Sequence, residues 1–133
     1  MLRGVAEADA LVVLPEGRAR LQALADAAAE VAASTAAGER VLAFPACAAV
    51  PVLAGRLPAG PHDYFYPGRP TRQEIVTLAE ELRAAPPPAS VTCEAPGRLS
   101  LAWESYPELV SLLQERYRVV LDRAPLTVRR RID

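Results

Sequence analysis

Apolar and polar positions along the chain change period several times, and each change marks an element. Residues 10–14 (Ala-Leu-Val-Val-Leu) form a short continuous apolar run stopped by Pro15, the pattern of a strand covered on both faces. From about Glu16 the spacing becomes helical: Leu21, Leu24, Ala28 and Val31 share one face, Gln22, Asp26 and Glu30 lie on another, and Gly38 marks the end. A second buried strand, residues 40–44, is cut by Pro45 and leads into a short apolar helix from Cys47 to Ala54. Pro51 is tolerated there in the first turn, and Gly55 serves as the C-terminal cap.

Thr71-Arg72-Gln73-Glu74 fits a capping box, and the helix it opens should bury Ile75, Leu78, Ala79 and Leu82 before Pro86-Pro87-Pro88. Residues 90–94 read as a third strand. Ser105-Tyr106-Pro107-Glu108 supplies another capping box, with Trp103 packed just before a helix that buries Leu109, Leu112 and Leu113. Residues 118–121 and 126–128, joined by Asp122-Arg123-Ala124-Pro125, read as an antiparallel hairpin at a sheet edge, where Arg129-Arg130-Arg131 would discourage aggregation. Strands alternating with helices predict one α/β domain over residues 1–133: three layers, with a mostly parallel central sheet made mixed by the C-terminal hairpin.

Composition narrows the function classes. Fifteen basic residues, all Arg, stand against sixteen acidic ones, a balance that supplies no field to hold a nucleic-acid backbone. No apolar run reaches the length of a membrane span, and the first residues lack the apolar core of a signal peptide. A complete chain would therefore stay in the cytoplasm, whereas a piece of a larger membrane protein would work on the extracytoplasmic face. Two cysteines and one histidine are too few for a zinc site or a disulfide framework, so neither metal nor cofactor is expected.

The chemical inventory is thin. Phosphate-loop, dinucleotide and nucleophile-elbow patterns are absent. Cys47, at a strand-to-helix junction, with His62 as its base is the one nucleophilic combination to state. Residues 57–70 are dense in Pro and Gly and carry Tyr64, Phe65 and Tyr66, a heavy aromatic load in an aromatic-poor chain. Arg56, His62, Asp63, Tyr64, Tyr66 and Arg69 are accordingly the candidate binding residues: Tyr faces suit sugars, and Arg forks suit phosphate. The plainer reading is that the aromatic residues seal the sheet end.

Three stretches also resemble a known pattern: Glu39-Arg40-Val41-Leu42-Ala43-Phe44-Pro45, then Val50-Pro51-Val52-Leu53-Ala54-Gly55-Arg56, then Asp63-Tyr64-Phe65-Tyr66-Pro67-Gly68. Together with Tyr117-Arg118-Val119-Val120 and Thr127-Val128-Arg129-Arg130, they are similar to the C-terminal soluble domain of bacterial polytopic membrane glycosyltransferases of the protein mannosyltransferase and aminoarabinose transferase kind. The resemblance implies a non-catalytic domain of, or beside, an enzyme that uses polyprenyl-phosphate sugars. Its partners would be the membrane-spanning region and a sugar-phosphate or glycan. No segment matches that family's catalytic acidic loop, so the resemblance implies no catalytic residue here. A shorter likeness of residues 9–17 to the C-terminal domain of molybdopterin molybdotransferases is set aside, because a β-barrel follows there and a long helical pattern here. The alternatives are a small Rossmann-like or flavodoxin-like module for a nucleotide or phosphosugar and a Cys47-dependent enzyme.

Overall fold

The computed structural model describes residues 15–62, 65, 68–93 and 103–133. The expected strand at 10–14, as well as Asp63, Tyr64, Tyr66, Glu94 and the side chain of Trp103, lie outside that description. In chain order the elements are α1 (Pro15–Ser34), β1 (Arg40–Phe44), α2 (Ala49–Leu53), β2 (Leu57–Pro58), α3 (Arg72–Ala84), β3 (Ala89–Cys93), a 3-10 turn (Trp103–Ser105), α4 (Pro107–Arg116), β4 (Tyr117–Arg123) and β5 (Leu126–Arg131). No helix among the described residues is long and apolar enough to cross a membrane.

The described strands form one sheet in the order β2-β1-β3-β5-β4. β1 pairs in parallel with β2 and β3, while β5 runs antiparallel to both β3 and β4, so β5 alone opposes the common direction. The expected α/β architecture with a mixed, mainly parallel sheet is what the chain adopts. Position in the sheet explains the strand compositions. Val41, Leu42, Ala43 and Phe44 are all buried, as are Ala89, Val91, Ser90 and Thr92, because β1 and β3 are covered on both faces.

Two apolar clusters, one on each face, make the three layers. On one face Leu42 and Phe44 of β1 meet Ile75, Leu78 and Leu82 of α3 and Leu109, Leu112 and Leu113 of α4. On the other, Val41, Ala43, Val91 and Val128 meet Ala23, Ala27 and Val31 of α1 and Val50 of α2. That second contact corrects the expected stripe on α1: Leu21 is exposed and Leu24 only half-buried, while the small residues at 23 and 27 face the sheet. Alanine at the contact lets a helix approach the sheet closely, and it gives a weaker sequence signal than Leu.

Local signals account for most element ends. The Thr71 capping box forms in full: Thr71 Oγ1 accepts from the Glu74 N–H at 3.2 Å, and Glu74 Oε1 accepts from the Thr71 N–H at 3.0 Å. Ahead of α4 the expected box does not form. Ser105 belongs to the 3-10 turn, the N-cap is Tyr106 without a side-chain cap, and Pro107 starts the helix. Gly55 follows α2 at φ +72°, whereas Gly38 lies beyond the end of α1, in the turn before β1. The arginines of β5 need another reading as well. With β3 on one side and β4 on the other, β5 is not an edge, and Arg129 donates to Thr92 Oγ1 at 2.7 Å across the β3–β5 pair. Burial pulls the Arg129 guanidinium below its ordinary value, opposed by Asp122 and Glu104 nearby.

Candidate functional site

Open parallel sheets bind ligands beyond the carboxyl ends of strands, at the point where successive connections leave for opposite faces. Here that point lies between β1 and β3. The connection out of β1 enters α2 on the α1 face, and the α-helix that follows β3 among the described residues, α4, packs on the α3 face. Phe44, Pro45, Cys47, Thr92 and Cys93 border it, and all are buried except the half-buried Cys93.

The segment after β2 runs beside β1 towards the same end. Ala59 N donates to the Val41 carbonyl at 2.9 Å, and Phe65 N to the Pro45 carbonyl at 2.6 Å. Phe65 is fully buried, its ring centroid 5.7 Å from that of Phe44 and 5.3 Å, edge-on, from that of Tyr106. A phenylalanine buried in this way contributes about 1.5–3 kcal/mol from water exclusion alone. Phe65 thus plugs the sheet end, in keeping with the plainer reading of the aromatic run.

His62 packs edge-on against Phe65 at 5.8 Å and places Nε2 3.8 Å from Glu74 Oε2. Glu74 is already engaged as the cap of α3. The hydrogen bond from the Thr71 backbone, then that from its side chain, holds the exposed Glu74 carboxyl below its usual range, with smaller help from His62 and Arg69. His62 and the exposed Arg69 are therefore both drawn to the start of α3. Beside them lies a hollow of about 210 Å³ lined by Pro61, His62, Gln73, Glu74, Thr77 and Leu78. A neighbouring groove of about 370 Å³ continues along α3 past Glu81 to Arg40, Gly60 and Pro88. Three carboxylates, Glu39, Glu74 and Glu81, edge this track together with Arg40 and His62; Glu39 already accepts from the Ala36 N–H and Glu74 from the Thr71 N–H, which leaves Glu81 as the acceptor for a hydroxyl.

Arg56 does not join this group. It sits just before β2, whose first residue pairs with the first residue of β1, whereas Phe65 lies at the other end of β1. Its fork holds the end of α1: Nε donates to Thr35 Oγ1 at 2.8 Å, and Nη2 to the carbonyls of Thr35 and Ala32 at 3.2 and 3.3 Å. Nη1 donates to the Ala54 carbonyl at 3.1 Å. Helix ends leave carbonyls unpaired, and a guanidinium suits them in charge and shape. No short-range pattern announces such a role, since Ala32 and Thr35 lie more than twenty residues upstream.

Cys47 and His62 are parted by the sheet, Cys47 within the α1-face cluster and His62 against Phe65 of the α3-face cluster. Burial pushes the Cys47 thiol well up, and hydrogen bonding with Cys93 adds to the rise. Both effects oppose a ready nucleophile. Among the described residues no group of three or more His, Cys, Asp or Glu side chains could hold a metal ion.

Fold and site together define an α/β domain whose polar residues serve mainly as caps and ties. Set beside known proteins, the chain matches no family model, no curated protein and no solved structure.

Proposed function

We propose that this chain is a non-catalytic α/β domain that serves a membrane glycosyltransferase using polyprenyl-phosphate sugars, covering or helping to recognise its substrate. The observation that carries the reading is the nature of the residues behind the family resemblance. Pro45 ends β1 and accepts from Phe65, Gly55 takes a positive φ after α2, and Arg56 clamps α1. Each of these roles is architectural. The track along α3 adds support, since its Glu81 carboxylate can accept from sugar hydroxyls.

The test is genetic and biochemical. Deleting the segment that encodes residues 1–133, while leaving any spanning region in place, should lower sugar transfer from polyprenyl-phosphate donors several-fold in isolated membranes. Transfer at the undiminished rate would sink the proposal.

A second reading, a module for a nucleotide or phosphosugar, draws on the parting of connections between β1 and β3. A raised melting temperature with one member of a nucleotide and phosphosugar panel would favour it over the first.

A further inference from the structure

The two cysteines, far apart in sequence, meet at the end of the sheet. Cys47 turns back over β1, its sulfur 3.4 Å from the Phe44 carbonyl oxygen and 3.5 Å from that of Val91. Cys93 closes β3 and brings its sulfur to 3.9 Å from the same Phe44 oxygen. Both belong to the apolar cluster on the α1 face, both are thiols, and they lie within hydrogen-bonding reach of each other. Sulfurs that lie 3.4 and 3.9 Å from one carbonyl oxygen and within hydrogen-bonding reach of each other are placed to bridge.

We propose that Cys47 and Cys93 are a reversible disulfide site, closed by exchange with small-molecule disulfides of the glutathione class. The inference goes beyond the proposed function and does not depend on it. Exchange starts at the half-buried Cys93. Its thiolate attacks the small disulfide, whose S–S bond breaks, releasing one small thiol and leaving a mixed disulfide on Cys93. Cys47 then attacks the Cys93 sulfur and expels the second small thiol. The two protons leaving the protein end on the two released thiols, and the two electrons lost by the protein sulfurs reduce the small disulfide. Burial retains the Cys47 proton, so this second step is slow at neutral pH and quickens as pH rises. Once closed, the bond ties the turn after β1 to the last residue of β3, across the point where the two connections part. An oxidising compartment would close it and a reducing one would open it.

The test uses the full chain, equilibrated with reduced and oxidised glutathione over a range of ratios at mildly alkaline pH, quenched with acid and read by mass spectrometry. The expected result is a monomer lighter by two hydrogens, with a peptide linking Cys47 to Cys93 that dithiothreitol separates. A lasting glutathione adduct on Cys93, a disulfide-linked dimer, or two intact thiols at the most oxidising ratio would each overturn the proposal. In Cys47→Ala the adduct on Cys93 should accumulate; should that variant fail to fold, the measurement on the unmodified sequence decides alone.

Discussion

Replacing Arg56 by Met keeps an unbranched stem and removes the fork that holds the end of α1. Four part-buried contacts go: to Thr35 Oγ1 at 2.8 Å, to the carbonyls of Thr35 and Ala32 at 3.2 and 3.3 Å, and to the Ala54 carbonyl at 3.1 Å; an exposed one to the Gly55 carbonyl at 3.5 Å goes with them. Fully buried, hydrogen bonds from a charged donor are worth about 1.5–3 kcal/mol each. These are part-buried, and water can take the place of the guanidinium at the exposed side of each carbonyl. At about 0.5–1 kcal/mol apiece the set contributes roughly 2–4 kcal/mol, and partial rehydration brings the expected loss to about 2–3 kcal/mol. Urea unfolding followed by circular dichroism should show a lower midpoint with an unchanged slope. Arg56→Lys retains a positive charge near the helix end, worth about 0.3–1 kcal/mol, yet lacks the fork, so it should recover less than half of the loss. Combining Arg56→Met with Thr35→Val should reveal a coupling of about 1 kcal/mol. A loss for Arg56→Met below about 0.5 kcal/mol, or full recovery by Lys, would refute a structural clamp and return Arg56 to the list of ligand contacts.

Two further expectations test the neighbourhood of the α3 track. Gly60 has φ +95°, and a Cβ there would stand 2.7 Å from Leu78 Cδ1, so Gly60→Ala should cost about 1–3 kcal/mol and lower the melting temperature by several degrees; an unchanged melting curve would contradict the close approach. Stability should also fall at both ends of the pH scale. The lowered Glu74 carboxyl contributes stability above the ordinary carboxylate range that is lost as pH falls through its lowered value, and Glu74→Gln should flatten this acid limb. At the alkaline end, Tyr117 donates to the Pro87 carbonyl at 2.6 Å, and burial raises its phenol. That contribution is complete below the ordinary tyrosine value of about 10 and is lost as pH rises beyond it, so Tyr117→Phe should remove the alkaline limb at a cost of about 1 kcal/mol near neutrality.

Elements with a strong local period were legible before any coordinates. The continuous apolar run of β1, the Thr71 box with the Ile75, Leu78 and Leu82 stripe of α3, and the leucines of α4 all carry their signal within a few residues. What escaped depends on distant partners. β2 is two residues long and is a strand only because Arg40 and Val41 lie beside it, so its sequence has no period to read. On α1 the expected Leu24, Ala28 and Val31 do pack on the sheet, but Ala23 and Ala27 take the place of the more conspicuous Leu21, and hydropathy undervalues alanine. Ser105 and Glu108 have the spacing of a capping box, but the 3-10 turn moves the helix start onto Tyr106 and Pro107. The candidate site was legible in residue type but not in grouping. His62 and Arg69 gather near Glu74, while Arg56, equally apt for a ligand on paper, is held by α1. Which face of the sheet receives a loop side chain is set by strand order, so the separation of Cys47 from His62 could not be read from their spacing.

The place of β5 has a consequence for how the molecule comes into being. Of the described strands this one is last in chain order, yet it occupies an interior position and is the bonded neighbour of both β3 and β4. Until residues 126–131 emerge, β4 has no partner among the described strands and the inner strand β3 shows a bare backbone edge to any other nascent chain. Vectorial synthesis can assemble β1, β2 and their helices early, but it leaves the β3 side of the sheet unguarded until residues 126–131 are made, and a ribosome that stalls before then exposes a sticky intermediate.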